Sequence, residues 1–79
     1  MDSNIGHTFT DRSSGLYSVT DIRWKKLKKY YVIEIIEEPK SGEPSIADIK
    51  LAISRNQFLM SISRYKELIE LDIIKTIKR

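Results

Sequence analysis

The sequence predicts an α+β unit in which three to four strands precede one long C-terminal helix. Three observations lead there. Ala47, Ile49, Leu51 and Ile53 alternate as on a half-buried strand, whereas Phe58, Ile62, Tyr65, Ile69 and Ile73 recur at helical spacing. Ser54 and Gln57 stand at that change of period in capping-box spacing. Upstream, Tyr30 to Glu38 (YYVIEIIEE) is β-branched and aromatic.

Taken in order, residues 1–15 read as a flexible N-terminal arm, rich in Ser, Thr, Asp, Asn and Gly with only Ile5 and Phe9 as sizeable apolar residues. Residues 16–79 form the domain. Leu16 to Trp24 alternate loosely as a first strand, with Leu16, Ser18, Thr20, Ile22 and Trp24 on one side and Tyr17, Val19, Asp21 and Arg23 on the other. Lys25-Lys26-Leu27-Lys28-Lys29 is the connection to a second strand at Tyr30–Glu38, although Glu34, Glu37 and Glu38 also tolerate a helix. Pro39, Gly42 and Pro44 mark a turn, Ile46–Ile53 is the third strand, and the helix follows directly from the Ser54 cap and runs to Ile74, with Lys75, Lys78 and Arg79 beside its negative end.

A chain of 79 residues is one small domain near the lower limit of independent folding. It has no cysteine and one histidine, His7, which excludes disulfides and leaves no ligand set for a metal. No metal and no cofactor is expected. Oligomerisation remains as a source of stability. The helix supports it: besides the stripe facing the sheet, Met60, Leu68, Leu71 and Ile74 gather on the opposite side, and a helix apolar on two sides is usually buried on two sides. A homodimer through these four residues follows as an expectation. No apolar run approaches the roughly 20 residues of a membrane span and the N-terminus lacks a signal pattern, so an intracellular protein without membrane partners is expected.

Candidate chemistry concentrates in Arg23-Trp24-Lys25-Lys26-Leu27-Lys28-Lys29-Tyr30-Tyr31, where cations and aromatics interleave. Lysines neutralise phosphates and release counterions, while aromatic rings stack on unpaired bases. Arg23, Trp24, Lys25, Lys26, Lys28, Lys29 and Tyr30 are therefore the candidate nucleic-acid-binding residues, and Lys50 on the third strand extends the basic face, weakened by Asp48. A solvated lysine turn that blunts edge pairing accounts for the same run without a ligand. Enzymatic activity is not expected: His7, Asp11, Ser13 and Ser14 lie in the arm, and Gly6, Gly15 and Gly42 are isolated.

Ile49-Lys50-Leu51-Ala52-Ile53-Ser54-Arg55-Asn56-Gln57-Phe58, followed by Tyr65-Lys66-Glu67-Leu68-Ile69, resembles the end of the last strand and the capped helix of the single-stranded-DNA-binding domain of the transcriptional coactivator positive cofactor four. Tyr17–Trp24 and Tyr31–Glu38 are similar to that family's first and second core strands. The resemblance implies a curved antiparallel sheet, a homodimer closed by its helices, and binding of single-stranded DNA by Arg23, Trp24 and Lys25–Lys29 in transcription, replication or repair. An intracellular setting is expected, nuclear in a eukaryote and otherwise cytoplasmic or viral, the viral option resting on the high Ile and Lys usage of an AT-rich genome. The chain departs from the pattern at Glu38-Pro39, where the family carries an aromatic, and at Ser45–Asp48, where it is basic. A winged-helix reader of duplex DNA, with helices at Tyr31–Glu38, Ile46–Ile53 and Phe58–Leu71, and a dimeric protein-interaction adaptor are the alternatives.

Overall fold

A computed structural model describes residues 4–40 and 45–77. Its elements are β1 (Thr8–Asp11), β2 (Leu16–Lys25), β3 (Lys28–Glu37), a 3₁₀ turn (Ile49–Leu51), β4 (Ala52–Ser54), β5 (Gln57–Ser61), α1 (Ile62–Glu70) and β6 (Ile74–Ile77). The six strands form one antiparallel sheet in the order β4-β5-β3-β2-β1-β6. The fold is α+β, with a multi-stranded antiparallel sheet and one helix near the C-terminal end of the described chain.

The expected flexible arm contains a strand. β1 pairs with β2 on one side and β6 on the other, and Phe9 is completely buried. Its ring stacks on Tyr17 at 5.2 Å and meets Tyr65 edge-on at 5.6 Å. Tyr65 in turn abuts Tyr31 at 5.1 Å, and Tyr17 meets Phe58 at 6.3 Å, both edge-on. A polar segment is held here because two of its residues bury: Phe9 fills this aromatic cluster, and Asp11 accepts hydrogen bonds from the Tyr17 hydroxyl (2.7 Å) and from the Gly15 (2.8 Å) and Ser13 (3.1 Å) N–H groups. Burial, reinforced by the hydrogen bond to Asp11 and its negative charge, raises the Tyr17 pKa well above the ordinary phenol value.

The helix is shorter than its apolar spacing suggests. Gln57–Ser61 belongs to β5, which pairs with β3 from Tyr30↔Ser61 to Glu34↔Gln57. Phe58 and Met60 face the core, and Leu59 on the other face is buried too. A strand covered on both faces loses its period of two and reads as a continuous apolar run. Ser54 does not cap a helix. It pairs with Gln57 across the two-residue turn Arg55-Asn56, and its hydroxyl donates to Asn56 at 3.2 Å. The cap is Ser61, whose hydroxyl accepts from the Arg64 N–H at 3.3 Å.

At its other end α1 closes in a Schellman motif. Asp72 adopts the left-handed conformation (φ 59°), the Ile73 N–H donates to the Leu68 carbonyl (2.9 Å), and the Asp72 N–H donates to that of Ile69 (3.1 Å). The chain then turns into β6, so Lys75 lies on a strand, and Lys78 and Arg79 fall outside the described residues.

These boundaries revise the expected dimer surface. Met60 on β5, Leu68 on α1 and Ile74 on β6 are all buried within the core of one chain, and only Leu71 of the four is exposed. Their apparent common face assumed one continuous helix. The expected third strand at Ile46–Ile53 is likewise mostly irregular: Asp48 caps the 3₁₀ turn by accepting from the Lys50 N–H (2.9 Å), and only Ala52–Ser54 pair as β4. The winged-helix alternative required a helix at Tyr31–Glu38, where β3 runs instead.

Candidate nucleic-acid interface

β2 and β3 are the longest strands, and their distal ends extend past the core as a two-stranded ribbon. The ribbon begins at a bulge. Val19 pairs with Ile33 and Asp21 with Val32, leaving Thr20 as the extra residue, its hydroxyl donating to the Val32 carbonyl at 3.2 Å. One added residue exchanges the faces of everything beyond it. Tyr17 and Val19 point to the core before the bulge, and Ile22 and Trp24 occupy that side after it. The simple alternation expected for Leu16–Trp24, which put Tyr17 and Val19 opposite Trp24, is corrected by this shift.

Beyond Ile22↔Tyr31 the register is Arg23↔Tyr30, Trp24↔Lys29 and Lys25↔Lys28, closed by Lys26-Leu27. The lysine run is thus largely strand, with only two residues in the turn. Both have positive φ (49° and 64°), as a type I′ hairpin requires. That turn favours Asn-Gly, so Lys26-Leu27 holds backbone strain of about 1 kcal/mol or more. Leu27 gains no burial in return, being 97% exposed.

Cross-strand pairs share a face, so the ribbon carries a different set on each side. One side presents Trp24 with Lys29, whose Nζ lies 5.9 Å from the indole centroid. The other presents Arg23, Lys25, Lys28 and Tyr30, with the Lys28 Nζ 5.7 Å from the phenol centroid. Arg23 to Lys29 are all exposed, Trp24 to 66%, and Tyr30 is half-buried. Five cations and no acid lie in residues 23–29; with +3 on the whole chain, the remainder carries −2. The charge is polarised onto the ribbon.

This geometry suits stacking on a ligand. An exposed lysine over an aromatic ring contributes about 0.5–1 kcal/mol, whereas a base stacked on that ring contributes about 1–3 kcal/mol. The lysine–ring contacts are thus weak enough for a stacking ligand to replace them.

Lys50, expected to extend the basic face from a strand, lies exposed in the 3₁₀ turn. Its segment borders a groove of about 590 Å³ beside the Tyr30 face, but through Asp48, Ile49 and Leu51. Ser61 and Arg64 line the same groove. Sequence spacing does not single them out, because it places both inside a longer helix. Of the residues dismissed for catalysis, Asp11 is occupied by its three hydrogen bonds, and no group of three or more metal-ligating side chains occurs among the described residues. Comparison with known families, curated proteins and solved structures finds no match to this chain.

Proposed function

We propose that this protein binds single-stranded nucleic acid, DNA in the first instance, through the β2–β3 ribbon. The binding is tolerant of sequence and serves transcription, replication or repair. The observation that carries the reading is the ribbon itself: five cations in seven exposed residues, with an indole open to solvent beside them. Stacking needs unpaired bases, which favours single strands over duplex. Phosphate neutralisation makes the affinity fall with salt.

The reading rests on this ribbon rather than on the likeness to positive cofactor four. The segment that carried that likeness, Ile49–Phe58, runs through a 3₁₀ turn and the β4–β5 hairpin instead of a strand leading into a capped helix. Homodimerisation through α1 is the finer part of the proposal. The exposed apolar residues left to it are Ile69 and Leu71, with Ile77 on β6. Light scattering at micromolar concentration tests it, and a clean monomer removes it.

Trp24 is the only tryptophan, so its fluorescence reports directly on the proposed site. Titration with a twelve-nucleotide single strand is expected to quench that emission and raise the anisotropy of a labelled oligonucleotide, with weaker effects from the matching duplex. Equal binding of duplex and single strand with no change in Trp24 emission sinks the stacking reading. Absence of any binding at low salt leaves the adaptor alternative.

A further inference from the structure

The groove beside the ribbon is built from parts of the chain far apart in sequence. Lys28 and Tyr30 reach it from β3, Ser61 from the end of β5, and Arg64 from the first turn of α1. Register brings them together: Tyr30 is the direct partner of Ser61, and the Ser61 cap fixes the start of the helix that carries Arg64. Two cations, one half-buried ring and one hydroxyl thus converge on an opening of about 590 Å³, within the range of small-ligand sites. Its one acid, Asp48, already accepts the Lys50 N–H through Oδ1. The opening lies on the Tyr30 side of the ribbon, the side opposite Trp24.

We propose that this groove is a nucleotide subsite in which Lys28 and Arg64 hold one phosphate of the bound strand and Tyr30 receives its base. The inference rests on the reading of the ribbon as a single-strand binder and adds a second station to it. Trp24 and Tyr30 occupy opposite faces, so one strand uses both only by passing around the ribbon. The consequence is a length requirement: a short oligonucleotide occupies one station, and a longer one occupies both.

The test compares the full chain with Arg64→Ala and Arg64→Lys, on four- and twelve-nucleotide single strands. Arg64 is exposed and its side chain is not part of the core, and circular dichroism checks that the variants remain folded. Arg64→Ala is expected to weaken twelve-nucleotide binding about 5- to 10-fold at low salt and to lower the salt slope by about 0.7, the share of one phosphate on a single strand. Lysine at that position restores most of the slope, and Trp24 quenching at saturation is unchanged. Unaltered affinity and slope in Arg64→Ala, with wild type binding normally, overturns the subsite while leaving the ribbon reading intact. Failure of the wild type to bind overturns both. Binding of wild type to phosphatidylserine vesicles but not to either oligonucleotide, reduced by Arg64→Ala, also overturns the proposal, since the same cations would then serve a lipid headgroup.

Discussion

The proximal and distal halves of the β2–β3 pair use the same backbone ladder for opposite ends. Below the bulge at Thr20, Tyr17, Val19 and Ile33 are fully buried in an aromatic and aliphatic core. Above it, from Arg23 to Lys29, every side chain is exposed, and the turn is held in a backbone conformation these residues disfavour. Stability is concentrated in the first half and charge in the second. A domain this small has little stability to spare, so separating the two lets the ribbon carry repelling lysines without loading the core.

That separation can be broken most severely at Phe9. Phe9→Ala is expected to cost about 3–5 kcal/mol, enough to unfold much of the protein at room temperature in a urea titration. A flexible arm would have made the substitution neutral.

Asp11→Asn comes next, at about 1–3 kcal/mol, because it disturbs three hydrogen bonds inside the first turn. Tyr17 gives a companion result. Its folded pKa is raised, so the unfolded chain ionises first, and stability should be fully present below pH about 10 and decline above it. Tyr17→Phe should flatten that alkaline decline in pH-dependent thermal melts.

On the ribbon the order of effects reverses between stability and binding. Lys25→Ala with Lys26→Ala should leave the melting temperature nearly unchanged while lowering the single-strand salt slope by about 1.4, about 0.7 for each phosphate lost. A drop in stability there would show that the ribbon and core are not separate. The smallest effect belongs to Leu27→Gly, which relieves a left-handed leucine that packs against nothing. A gain of about 0.5–1 kcal/mol is expected by calorimetry, part of the relieved strain being offset by the greater chain entropy of glycine. Lost affinity in that stabilised variant would mark Leu27 as a contact.

Residues legible in the sequence were those whose environment differs between the two faces of a strand. β3 declared itself by β-branched and aromatic content, and the basic ribbon by composition. β5 did not, because Phe58, Leu59 and Met60 are all buried and so mimic a helix. The bulge at Thr20 was hidden for a related reason: its trace is the three-residue step from Val19 to Ile22, which disappears if strict alternation is imposed. β1 escaped notice because four residues with one large apolar side chain carry too little pattern, and their place is decided by partners distant in sequence. The groove residues Ser61 and Arg64 were lost together with the helix boundary that positions them.

The pairing of β6 with β1 sets a condition on how the molecule comes into being. Thr8 lies opposite Ile77, so strands from the two ends of the described chain must meet before the sheet is complete. A nascent chain leaving the ribosome can form the local β2–β3 hairpin early, since only its two-residue turn need close. Phe9 cannot be covered until Tyr65 and Ile74 have been synthesised. For that interval the β2–β3 hairpin stands on a chain whose core is unfinished, and the pairing of β6 with β1 is the step that completes it.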